Sequence, residues 1–192
     1  FRNSQADGFG GAADIINHCT ATITNSTFVN NTSGCLAGGI VIDINSTITI
    51  SHSVFRNNYA GQIGGAVNVR YHCSAFVINS TFDHNTSGSV GGAIQIDTNS
   101  TLTITKSKFK NNHAEGFAGA VCVTDNSIAR INMCNFFNNT SSIQAGGIQV
   151  DTNSTLIIHN SGFRNNQADG FGGAVDIINH CTATITNSTF VS

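Results

Sequence analysis

Phenylalanine returns every 27 residues through the whole chain, at Phe1, Phe28, Phe55, Phe82, Phe109, Phe136, Phe163 and Phe190, with no insertion or deletion between copies. A fixed period of that length describes one supersecondary unit copied along an axis, each copy touching only its neighbours. A catalytic centre in such an array has to appear as a local departure from the copying.

Aligned on the phenylalanine, the copies keep their chemistry column by column. Three residues later stand Asn31, Asn58, Asn85, Asn112, Asn139 and Asn166, with Ser4 in the first copy. A glycine column is unbroken: Gly11, Gly38, Gly65, Gly92, Gly119, Gly146 and Gly173. Apolar pairs two residues apart follow it, such as Ile40 and Ile42 or Val67 and Val69, and a second set such as Ile48 and Ile50 or Leu102 and Ile104. Alternation with a period of two is the pattern of strands. Each copy predicts three short strands, the last centred on the phenylalanine, separated by Gly, Asn and Ser turns.

Strands this short bury nothing alone, so the chain must coil and stack its copies. The expected fold is all-β: a single-stranded, right-handed parallel β-helix of about seven rungs, one continuous repeat domain over residues 1–192 with rungs opening at the first seven phenylalanines. Rungs spaced about 4.8 Å apart place Phe28, Phe55, Phe82, Phe109, Phe136 and Phe163 in an interior stack. The same register lines up Asn31, Asn58, Asn85, Asn112, Asn139 and Asn166 as a hydrogen-bonded ladder. Thr, Ile, Val, Asn and Gly dominate, and no segment carries the 3.6-residue spacing of a helical repeat.

Composition narrows the partners. Charged residues are 9% of the chain and the net charge is −2, which disfavours nucleic acid and anionic membrane surfaces. No apolar run approaches a membrane span, and the first residues have no basic-then-apolar leader pattern. Phe1–Asn30 and Phe163–Ser192 match at 27 of 30 positions, differing at residues 4/166, 13/175 and 30/192. The expectation is a window of a longer array with a 162-residue super-repeat, the spacing from Phe1 to Phe163, whose partners are further copies of itself joined end to end.

Asn-x-Ser/Thr sequons are dense. One column carries them at Asn25, Asn79 and Asn187 in odd rungs, and another at Asn45, Asn99 and Asn153 in even rungs. Same-column sites are therefore at least two rungs, about 9.6 Å, apart, which leaves room for bulky glycans. Those six are the candidate N-glycosylation sites. Further sequons begin at Asn31, Asn85 and Asn139, which the interior ladder claims, and at Asn30 and Asn138, which can point outward. Asn is also a preferred turn residue, and a duplicated 54-residue unit is the alternative source of the alternation. Covalent glycans imply an extracellular or cell-surface protein.

Other residue sets point to no chemistry. Cys19, Cys73 and Cys181 share a column with Ser46, Ser100 and Ser154, while Cys35, Cys122 and Cys134 lie elsewhere. Free buried thiols are expected, a Cys122–Cys134 bridge being the exception to test. His18, His72 and His180 precede the first three cysteines, but two-rung spacing keeps neighbouring pairs from sharing one ion, so no metal or other cofactor is expected. Asp43, Asp97 and Asp151 recur in one column with Arg70 between the first two, a surface charge ladder rather than a carboxylate pair in one unique setting. No catalytic residue is assigned, and the chain reads as a non-enzyme. Outward threonines such as Thr20, Thr22 and Thr24 suggest an ice-binding face, but Phe76, Arg130 and His159 interrupt it.

The Gly-Gly-Ala-apolar segments Gly10–Ala13, Gly64–Val67, Gly91–Ile94 and Gly172–Val175, followed by Phe-x-x-Asn at Phe28/Asn31 through Phe163/Asn166, resemble the repeat of chlamydial polymorphic outer-membrane proteins. That resemblance implies a surface-exposed, adhesive β-helix. Ala37-Gly38-Gly39, Ala118-Gly119-Ala120 and Ala145-Gly146-Gly147 depart from the pattern, and the sequon density is foreign to such a bacterial protein. The expected function is a structural subunit of an extracellular, glycan-coated rod or filament. An adhesin is the alternative, and an ice-binding protein or a polysaccharide-active enzyme stand behind it.

Overall fold

The computed structural model describes residues 1–191. The described chain forms 28 short strands that pair into four parallel sheets of seven strands each. Every pairing joins residues 27 apart, as in Thr47↔Ser74 and Phe55↔Phe82, so the sequence period is the coil itself. The three expected strands are present in every rung: the Ala13–Ile16, Thr20–Thr24 and Thr27–Val29 positions, here sheets 2, 3 and 4. A fourth strand adds sheet 1 at Gln5–Ala6 and its equivalents. Two residues are too few to show alternation, which is why the residue pattern read this stretch as turn.

Left-handed backbone marks the corners. The residue before each ladder asparagine has positive φ (Asn30 55°, Asn57 52°, His84 53°), as do the pair before sheet 3 (Ile44 47°, Asn45 54°) and the residue after it (Asn25 49°, Asn79 46°). Asn tolerates this region better than most side chains, whereas β-branched Ile44 and Thr98 are strained there. At the remaining corner the left-handed residue is Gly10, Gly64, Gly91 or Gly172, or else Ala37, Ala118 or Ala145. The invariant glycine after it has a packing cause: a Cβ on Gly65 would meet the carbonyl oxygens of Gly92 and Thr86. Both are backbone atoms and cannot move aside.

Inside the coil the six phenylalanines from Phe28 to Phe163 are 0–1% exposed. Their rings stack at 4.6–4.8 Å, within 6° of parallel. The inward aliphatics of sheets 2 and 3, among them Ile40, Ile42, Ile48, Ile50, Leu102 and Ile104, complete one continuous core with them. Burial of these side chains from every rung is the main driving force for coiling.

Candidate glycan-bearing face

The left-handed corners create a hydrogen-bonding problem. Where the chain turns, the next backbone N–H cannot reach the carbonyl of the adjacent rung, and a buried donor without a partner is costly. A side chain supplies the acceptor. The N–H of Asn58 donates to Oδ1 of Asn85 at 3.1 Å, and the N–H of Asn85 to Oδ1 of Asn112 at 3.0 Å. The amides also link to one another: Nδ2 of Asn58 donates to Asn85 Oδ1 (2.9 Å) and to the Phe28 carbonyl (3.0 Å). Asn31, Asn58, Asn85, Asn112 and Asn139 are 0–1% exposed. The sequon asparagines Asn31, Asn85 and Asn139 are thus enclosed by the coil.

Serine does the same at the two corners that bound sheet 3. The Ser53 N–H donates to Ser80 Oγ and the Ser80 N–H to Ser107 Oγ, both at 3.1 Å. In the other column the Ser46 N–H donates to Cys73 Sγ at 3.2 Å and the Cys73 N–H to Ser100 Oγ at 3.1 Å. This explains why Cys and Ser share a column, a role that residue size alone did not reveal. Cysteine stands in for serine as the inter-rung acceptor. Cys134 belongs to the equivalent ladder on the other side, with its N–H on Ser161 Oγ.

All six cysteines are free, so the Cys122–Cys134 bridge is absent. Cys134 points into the core, whereas Cys122 alternates with the inward Val121 and Val123 and faces Gln149 outside the wall. The wall separates the two thiols. Burial pushes both thiols up, Cys134 to about 11 and Cys122 further, which makes them poor nucleophiles.

The six candidate sequons sit one residue before these serines. Asn25, Asn45, Asn79, Asn99, Asn153 and Asn187 are all exposed and all in left-handed backbone, and none makes a side-chain hydrogen bond among the described residues. Asn30 is exposed but its amide is engaged, donating to Asn3 and accepting from Asn57 at 3.3 Å. Asn138 is half-buried. The Asn45 column lies one ladder serine before the sheet 3 strand and the Asn25 column immediately follows it. Both candidate columns therefore border one face, the outward face of sheet 3. The middle serine of each sequon is a ladder residue, and the threonine opens the next strand.

That face is not uniform. Threonines line most of it, with Thr24 and Ser51 hydroxyls 3.0 Å apart across rungs. In the third rung Phe76 and Ile78 interrupt the threonines, each 40% exposed. The same rung carries both tyrosines of the chain, Tyr59 and Tyr71, each 44% exposed. Arg70 lies 5.2 Å from the Phe9 ring and 5.1 Å from the Tyr71 ring, and its guanidinium donates to Asp43 at 2.8 and 3.1 Å. Phe9 and Arg70 are brought together across two rungs, a contact that sequence spacing does not display.

The recurring aspartates have unequal settings. Asp43 is paired with Arg70. Burial pushes the Asp97 carboxyl up, partly offset by the Thr98 hydroxyl 2.9 Å away and by Arg70. Asp151 accepts from the Thr152 N–H and from Asn179, both at 2.6 Å. A separate ion cluster surrounds Asp83, with Lys110 at 3.2 Å, Arg56 at 3.4 Å and His84 at 2.6 Å. No cluster of three or more metal-ligating side chains occurs among the described residues, and no described helix is long and apolar enough to cross a membrane.

Comparison with known proteins returns the coil and little else. A family model described as a right-handed beta helix region matches residues 1–145 and, separately, 87–192. No curated protein and no solved structure gives a significant match. The family includes enzymes and non-enzymes, so membership leaves activity open. With matches spanning every rung and four in-register parallel sheets, the chain belongs to the right-handed β-helix family.

Proposed function

We propose that this chain is a structural segment of an extracellular β-helical rod that carries N-linked glycans along both edges of the sheet 3 face. The observation that supports it is the division among its sequons: six present free amides at exposed corners, while Asn31, Asn85 and Asn139 are sealed in the interior ladder. The coil provides stiffness through continuous stacking and inter-rung hydrogen bonds. The alternate-rung placement lets each glycan occupy two rung heights. Elongation in this reading uses the repeat itself. Rung 7 offers a further rung nearly the same side chains that Phe1–Asn30 offer rung 2, and that contact is a ring stack at 4.6 Å. Partners in this reading are further copies of the array and its own glycans, with no enzymatic role.

The test is site-resolved glycopeptide mass spectrometry of the protein secreted by a eukaryotic host. The reading expects modification at Asn25, Asn45, Asn79, Asn99, Asn153 and Asn187 and none at Asn31, Asn85 or Asn139. Absence of glycan from all six refutes it.

A second reading is supported by the third rung. Exposed Tyr59, Tyr71 and Phe76, with Arg70 held between two rings, concentrate aromatic and cationic side chains in one repeat. An adhesin of the kind that the chlamydial resemblance implies would bind a surface ligand there. Binding to intact cells or matrix that disappears in Tyr71→Ala and persists in Thr184→Ala, on the seventh rung, favours this reading over a bare rod.

A further inference from the structure

We propose that Phe76 is a stacking platform for the first sugar of a glycan on Asn79, making this the one sequon whose modification also stabilises the coil. The inference rests on the glycosylated reading above. Phe76 occupies the middle outward position of Ser74–Ile78, where its neighbours in the adjacent rungs are Thr49 and Thr103. Ile78, next to it on the same face, is flanked by Ser51 and Thr105. The two form an apolar island in a hydroxyl-lined sheet, and the 40% exposure of each is area that solvent, not protein, covers.

The strand ends directly at Asn79, whose left-handed φ of 46° turns the chain at the border of that face. Phe76 lies three residues earlier, about 10 Å of extended chain. An Asn side chain with one pyranose attached spans that distance back over the strand. The apolar C–H face of a pyranose suits an exposed aromatic ring, which gains from covering its face with weakly polarised hydrogens. The two equivalent sequons supply an internal contrast. Asn25 follows Thr22 and Thr24, whose rung neighbours are Thr49 and Ser51, so it has no ring or large apolar side chain to cover; Asn187 follows Thr184 and Thr186 and has none in its own strand, with Ile157 and His159 in the adjacent rung.

A two-by-two comparison tests it. The secreted protein, trimmed to single N-acetylglucosamine residues, is compared with Thr81→Ala, which removes the Asn79 sequon without altering Asn79. Both are made with Phe76 and with Phe76→Thr, the residue this column carries in rungs 1, 2, 4 and 7. Glycopeptide mass spectrometry records occupancy, and thermal unfolding records the effect. The expected result is a Tm higher by about 2–4 °C with the sugar in the Phe76 background, falling to near zero with Phe76→Thr. Thr27→Ala, which empties the Asn25 sequon, is expected to leave Tm unchanged. Phe76→Leu provides a second background that keeps apolar bulk and removes the ring, and the coupling should fall there too. If Asn79 is occupied and the Tm shift is the same with and without the ring, the platform is refuted while the glycosylated reading stands. If no sequon is occupied, both fall.

Discussion

Replacing Asn85 by Ala separates the ladder from ordinary core packing. Its side chain makes four hydrogen bonds: it accepts from the Asn58 N–H (3.1 Å) and Asn58 Nδ2 (2.9 Å), and donates to the Phe55 carbonyl (3.1 Å) and Asn112 Oδ1 (3.0 Å). Alanine deletes all four. Asn112 Oδ1 keeps the Asn85 N–H at 3.0 Å, and Asn58 Nδ2 keeps the Phe28 carbonyl at 3.0 Å, so those groups lose only part of their pairing. The Asn58 N–H is left buried with no acceptor, which costs about 1–3 kcal/mol, and the other losses add about 1 kcal/mol each. A destabilisation of about 4–6 kcal/mol is expected in urea unfolding. Because rungs interact with nearest neighbours, amide exchange should accelerate most at Asn58 and little at Asn139, two rungs beyond the substitution. Asn85→Asp keeps the acceptor but turns an oxygen toward two others in a site 0% exposed. It should be at least as damaging at neutral pH. Its buried carboxyl prefers the proton more in the fold than in the unfolded chain, so stability should return as pH falls. A loss below about 1 kcal/mol in Asn85→Ala, or no change in Asn58 exchange, refutes the acceptor role.

Three further outcomes follow from the geometry of the coil. Gly65→Ala should destabilise by about 3 kcal/mol, since the obstructing atoms are backbone, whereas Gly8→Ala, with nothing within 4 Å of the added methyl, should stay within about 0.5 kcal/mol in the same denaturant titration. Burial raises the Asp83 carboxyl, but hydrogen bonds from Lys110, Asn111 and His84 more than offset it and hold it below its ordinary value of 3.8. A lowered folded pKa gives stability that is present above 3.8 and lost below it, so the advantage of the native chain over Asp83→Asn should shrink as pH falls through that range. Alkylation at pH 8 followed by peptide mass spectrometry should modify exposed Cys19 at least about a hundredfold faster than Cys134 or Cys122.

What the residue pattern discloses depends on whether a feature repeats every rung. The phenylalanine stack and the strands of sheets 2 and 3 repeat without interruption, the asparagine column fails only at Ser4, and the period alone places like on like. The serine ladders also repeat, yet Ser46 or Ser80 looks like any turn serine. Its partner is the N–H of a residue 27 positions earlier, and that function exists only once the coil is closed. Sheet 1 was hidden by its two-residue length. The contact of Arg70 with Phe9 was hidden because Phe9 belongs to a column otherwise filled by Leu36, Ile63, Val90, Phe117, Gln144 and Phe171, which shows no aromatic rule. Site-like features are legible only where the repeat is broken, and the third rung holds three such aromatic breaks, Tyr59, Tyr71 and Phe76.

The sequons are harder to weigh, because the coil asks for each of their residues separately. A left-handed corner favours Asn, the ladder position wants Ser, and an outward strand opening suits Thr. In the Asn45 column this suffices: Thr20 and Thr182 open their strands even though His18 and His180, not Asn, hold the corner. In the Asn25 column it does not. There Thr27, Thr81 and Thr189 occur with Asn25, Asn79 and Asn187, while His52, Lys106, Met133 and Asn160 are followed by Val54, Lys108, Asn135 and Gly162. The strand accepts Val, Lys, Asn or Gly at that position, so its geometry does not demand threonine. Rungs 1 and 7 are near-duplicates and count once; the independent instance is the third rung, at Asn79 beside Phe76. That sequon is where the glycosylated reading gains most from a measurement.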